Sequence, residues 1–169
     1  MAALAPIVLF LLWFATSDAF RQFVLALDPR TLTFLQAWRI AGLTFLALYT
    51  YGLLPGRFAL PAGCGDIAIG ATAPLVATRL ANPAHRKSFI LWQLLGIADL
   101  VTAVTMGTTA RLIEPHGIAT SPMTVLPLSL IPTFAVPLLF ILHIICIAQA
   151  RQWPEQKISS FGERLAASV

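Results

Sequence analysis

Ser88–Ala110 reads SFILWQLLGIADLVTAVTMGTTA: 23 residues of nearly unbroken apolar sequence with one carboxylate, Asp99, at the middle. A helix rises about 1.5 Å per residue, so the run is long enough to cross a hydrocarbon core of roughly 30 Å. An acid at that depth costs about 2.5–3.5 kcal/mol on insertion scales unless it is paired, protonated or wet. The chain must therefore fold so that something meets Asp99. At helical spacing Gly96, Asp99, Ala103, Met106, Gly107 and Ala110 share one face, which turns Asp99 toward a small-residue packing surface and away from lipid.

The rest of the chain repeats the pattern. It has 169 residues, 58% hydrophobic and 11% charged, against about 25% charged in an ordinary soluble domain. Mean hydropathy is +0.83. Long apolar runs with short polar breaks predict an all-α, polytopic membrane bundle of five helices in one domain over residues 1–150. The expected spans are 3–23, 32–54, 61–80, 88–110 and a proline-rich segment, LPLSLIPTFAVP (126–137), that leads into a regular helix ending near Ala150. Polar residues 151–169 form a cytoplasmic tail, amphipathic or disordered, with Trp153 as an interface anchor and Ile158, Phe161 and Leu165 on one face.

Charge decides the orientation. Arg21, Arg30, Arg79, Arg86, Lys87, Arg151, Lys157 and Arg164 fall on one side, and Arg57 and Arg111 on the other. That bias places the N-terminus outside and the C-terminus inside, in the cell's inner (plasma) membrane. The basic residues serve topology, so the net charge of +4 does not indicate nucleic acid. Cys64 and Cys146 are expected at opposite depths, which argues against a disulfide.

The ionisable and amide groups inside the runs are the candidate ligand-binding residues: Arg39, Asp99, His143, Gln36, Gln93 and Asp66. In the expected spans Arg39 and His143 lie at similar depth and Asp99 near the midplane. Gln36 and Gln93 lie closer to the inner surface, and Asp66 alone near the outer one. The sharp reading is that Arg39, Asp99 and His143 converge as one cluster. Arg39 would bind an anion or hold Asp99 charged, and His143, with an unperturbed pKa near 6.5, would exchange a proton. The plain readings stand beside it. Arg39 reaches headgroups along its own stem, Asp99 is a neutral acid bonded to Thr102 or a backbone carbonyl, and His143 is a packed core residue. Thr31 is the expected cap of the second span, and Pro74 is expected to kink the third.

No phosphate loop, HExxH or GxSxG motif is present, and no catalytic domain fits in such short breaks, so the chain reads away from an enzyme. Glu114 and His116 offer only two metal ligands. Glycine and alanine stripes (Gly63, Gly70 and Ala73; Gly96, Ala103 and Gly107) suit close helix packing, in a homo-oligomer or a larger membrane complex. The expected function is binding a small ligand or coupling to proton movement. The rival is an accessory or assembly subunit, and a haem- or quinone-binding redox protein ranks third. The cofactor is left unassigned.

Trp38–Gly42 (WRIAG), Leu60–Asp66 (LPAGCGD) with Ala73-Pro74, Gly96–Val101 (GIADLV), and Leu126–Pro132 (LPLSLIP) leading to Leu142-His143 resemble a family of small, uncharacterised, multi-spanning bacterial integral membrane proteins. The resemblance spans residues 38–143 and implies a membrane bundle, with no activity to carry over. In size and span number the chain also resembles the tryptophan-rich sensory and translocator proteins. Their Trp-x-Pro-Pro-type signature is missing here, so no porphyrin or cholesterol site is implied.

Overall fold

A computed structural model describes residues 4–113 and 118–154, and every described element is helical. The pair Glu114 and His116, and the tail helix face at Ile158, Phe161 and Leu165, lie outside the described residues.

The first apolar run is not one straight helix. It is α1 (Leu4–Thr16) and α2 (Asp18–Leu25), bent through 108° at Ser17. The Ser17 hydroxyl accepts from the Phe20 N–H at 3.3 Å and starts a new helix, as a cap does for an orphan donor. Trp13 stacks on Phe20 across the elbow, centroids 4.1 Å apart. Asp18 and Arg21 pair along α2.

The second helix, α3 (Pro29–Thr50), begins three residues earlier than the apolar run suggested. Asp28, not Thr31, is its cap. Its carboxylate accepts from the Thr31 N–H at 2.9 Å, the Thr31 hydroxyl at 2.7 Å and the Arg30 N–H at 3.3 Å. Pro29 occupies the first helical position, where its missing N–H costs nothing. These bonds hold the Asp28 carboxyl below its ordinary pKa, the Thr31 hydroxyl contributing most.

Residues Leu35–Gly42 of α3 wind as a 3-10 helix, flanked by α-helical turns. Thr33, Gln36, Arg39, Gly42 and Phe45 are all buried. On an α-helix each step of three falls back about 60°, so five such positions cannot share a face. At three residues per turn Gln36, Arg39 and Gly42 stack in one column, and Thr33 and Phe45 continue it one step into the flanking α-helical turns.

Helix α4 (Gly56–Arg79) runs as one helix through Pro61 and Pro74. Helix α5 (Arg86–Ile113) follows a 3-10 turn at Pro83–His85. Helix α6 spans Ile131–Gln152, and its first turn, Ile131–Ala135, is wound as a π-helix. The proline-rich approach is irregular, as expected. Residues 126–129 form turns ahead of the π turn, and a 3-10 turn at Ser121–Thr124 precedes the approach.

Among the described residues, four helices are long and apolar enough to cross a membrane: α3, α4, the segment Pro83–Ala110, and α6. The bent α1–α2 pair makes a fifth only if it counts as one span. Helix α3 packs on α4, α4 on α5, α5 on α6, and α6 back on α3, closing a ring. Helix α1 lies outside it against α6 and buries no residue. Large apolar side chains such as Leu9, Leu12, Trp38, Leu91, Leu95 and Phe134 point outward.

Two apolar clusters fill the ring. One gathers Leu32, Val76, Phe89, Trp92 and Ile145, and the other Phe45, Leu54, Phe58, Ala62 and Met123. Along α3 the seam between them falls at Arg39, and along α4 at Asp66. That is where the polar layer sits.

Candidate functional site

Each ring helix sends a polar group into this seam. Arg39 of α3 is its centre, with a side chain 0% exposed. Its Nε donates to Asp66 Oδ1 of α4 at 2.7 Å. Its Nη2 donates to Asp99 Oδ2 of α5. Its Nη1 lies 3.3 Å from both the Gly96 carbonyl and His143 Nε2 of α6. Every nitrogen of the guanidinium is therefore engaged within the protein. The arginine does not reach along its stem to a headgroup, and it has little left to offer an anion. Thr102 donates to the Ala98 carbonyl, so the partner of Asp99 is Arg39.

Asp66 joins the cluster, although its expected place was alone near the outer surface. Its helix starts at Gly56, not near Pro61, so Asp66 is the eleventh of 24 residues and lies mid-helix like Asp99. The sequence obscures this because Pro-Gly and an internal proline both read as boundaries, yet α4 continues through Pro61.

Beyond His143 the hydrogen bonds continue in a fixed direction. The Thr33 hydroxyl donates to the Pro29 carbonyl at 2.7 Å, so its oxygen accepts from Gln93 Nε2 at 3.2 Å. That turns Gln93 Oε1 toward His143 Nδ1, which must carry the hydrogen. In the neutral ring Nε2 is then the acceptor, facing Arg39. His143 thus takes a hydrogen bond from the cation and does not compete with it as a second cation. Both ring nitrogens are occupied, so an axial bond to haem iron would break one of these contacts. A second buried amide, Gln36, braces α3 to α6 through Nε2 and the Leu139 carbonyl at 3.1 Å.

Three glycines make the convergence possible. A Cβ on Gly65 would lie 1.6 Å from Asp99 Oδ1, and one on Gly96 2.3 Å from the His143 ring. A Cβ on Gly70 would lie 2.5 Å from the backbone nitrogen of Ile40, within the 3-10 segment. Gly63 packs against Leu46, and Ala73 is fully buried. Much of the small-residue stripe on α4 is therefore spent inside this chain. Gly107 faces Phe58.

Sequence reasoning passed over Thr33 and Gln149. Gln149 Nε2 donates to the carbonyls of Leu27 at 2.6 Å and Leu25 at 3.2 Å, tying α6 to the end of α2. An amide inside an apolar run was the available signal for Gln149. Thr33 had none, because a lone Thr on a helix usually bonds its own backbone. Cys64 is exposed and Cys146 buried, both as free thiols.

A cleft of about 60 Å³ opens beside the ion pair. Arg39 and Asp66 lie in its wall, with Gly42, Leu100, Ala135 and Leu139 among the other lining residues.

The fold and seam define an all-helical protein with four or five helices apolar enough to cross a membrane, built around one arginine shared by two carboxylates. The chain belongs to the family DUF8737, a domain of unknown function whose profile matches residues 1–151. No curated protein and no solved structure matches the chain.

Proposed function

We propose that this is a multi-pass protein of a bacterial inner membrane, N-terminus out and C-terminus in, whose buried cluster couples to proton movement. One observation carries the reading: Asp66 and Asp99 share a single guanidinium. With both carboxylates ionised and His143 neutral, the layer holds one cation and two anions. In a low-dielectric bundle that surplus charge is costly. One proton shared by the two carboxylates restores neutrality. Arg39 stays charged at any accessible pH and sets the balance between them. His143, Gln93 and Thr33 hold the arginine in place, and Gln36 braces the wall. Anion binding is less supported, since four of the five N–H donors of Arg39 are already used.

The test is flux in vesicles carrying a trapped pH dye. Wild-type protein dissipates an imposed proton gradient, and Asp99→Asn does not. Wild-type vesicles no leakier than empty ones, or full flux in Asp99→Asn, overturn the reading.

A second reading, an accessory subunit of a larger complex, draws on α1, which buries none of its residues. A stoichiometric partner retained in mild detergent, and lost when α1 is replaced by polyleucine, would favour it. Such a partner would meet surfaces other than Gly63, Gly70, Ala73 and Gly96, which are occupied within the chain.

A further inference from the structure

The proton-coupled reading leaves open which group takes the proton and from where. Arg39, Asp66, Asp99 and His143 are the ionisable groups that meet in the seam, and they differ in access. His143 is wholly buried, with both ring nitrogens engaged. Arg39 does not give up its proton. Asp66 and Asp99 are 16% and 14% exposed at the side chain, but of the two only Asp66 lines the cleft.

The cleft has room for water. A water molecule takes up about 30 Å³ in the liquid, so 60 Å³ holds about two. Most of the lining is apolar, and the Arg39–Asp66 ion pair is its charged part. The lining also includes Ile131, Ala135 and Val136, at and next to the π turn that opens α6. Wide π turns and irregular backbone at this depth are found where they line a cavity or are covered by protein. The winding of α6 thus agrees with a hydrated cleft.

We propose that this cleft is an aqueous inlet and that Asp66 is the proton-loading group of the cluster. The inference rests on the proton-coupled reading and makes it specific. Asp66 Oδ1 is held by Arg39 Nε, so the arriving proton adds to Oδ2. Arg39 then turns its charge toward Asp99. The groups facing Asp66 are Arg39 from α3 and Asp99 from α5, and His143 of α6 stands behind the guanidinium.

Infrared difference spectra of the full chain in phosphatidylcholine vesicles test this, recorded after a pH jump across the range where carboxylates titrate. Wild type gains the C=O stretch of a protonated carboxyl, and Asp99→Glu, which keeps both negative charges, leaves that band in place. Asp66→Glu shifts it. Ala135→Phe, which fills the cleft and removes no ionisable group, loses it on the timescale of the jump. Should Asp66→Glu fail to fold, Asp99→Glu and Ala135→Phe decide the matter. A band that shifts in Asp99→Glu, or that is unchanged in Ala135→Phe, overturns the proposal and leaves the proton-coupled reading standing. No pH-dependent carboxyl band in wild type overturns both.

Discussion

At Ser17 the chain turns through 108° between α1 and α2, whereas between Leu35 and Gly42 it runs on as one helix but changes its winding. The first departure is local. A serine cap, an adjacent Asp18–Arg21 pair and one aromatic stack account for it, and α1 has no fully buried residue. The second has no side-chain cap and nothing in its own residues that demands a 3-10 helix. Its cause is tertiary. Gly70 lets the backbone of α4 come within reach of Ile40, and the tighter winding stacks Gln36, Arg39 and Gly42 toward the ring. A bend settled by neighbours in sequence sits at the edge of the fold. A change of winding settled by neighbours in space sits at its centre.

The comparison is broken most forcefully at Arg39. Arg39→Leu leaves Asp66 and Asp99 facing each other without their cation. The expected loss is about 3–5 kcal/mol, as for a buried ion pair missing one partner, measured by unfolding in detergent. Adding Asp66→Asn and Asp99→Asn to that variant should recover much of it, because a neutral layer no longer holds an uncompensated charge.

Gly70→Ala comes next. Its Cβ meets backbone, which cannot rotate away, so about 3 kcal/mol is expected, the upper end of overpacking. Gly107→Ala, 3.3 Å from the Phe58 ring, should cost far less. Equal losses from the two would mean that close approach is not what sustains the 3-10 winding.

The caps are smallest. Ser17→Ala should cost about 1 kcal/mol and leave the bonds of Arg39 untouched, since the elbow is remote from them. Asp28→Ala should cost a similar amount, with a pH signature. The folded-state pKa of Asp28 is lowered. Its contribution is therefore fully present above the unfolded value of about 3.9 and is lost as pH falls through the lower folded value. Wild type and Asp28→Ala should converge in stability in acid and separate above that range. A constant gap would show that the carboxylate is not the capping form.

The membrane-like helical class was legible from composition and run length alone, because a 20-residue apolar helix has few other places to go. The ionisable groups inside the apolar runs were legible too, since each one stands out against its run. Their partners were not. Asp66 looked isolated because a helix passing through Pro61 is indistinguishable, residue by residue, from one that starts there. Arg39 looked able to reach the surface because stem length is a local property and enclosure by four helices is not.

What the residues dictate unaided is that charge must be buried somewhere in this chain, a matter of counting apolar residues between polar ones. That two carboxylates meet one arginine, and that His143 accepts from it, comes from helices pressed together at glycines. No one-dimensional pattern records those distances, because each is set by atoms dozens of residues apart.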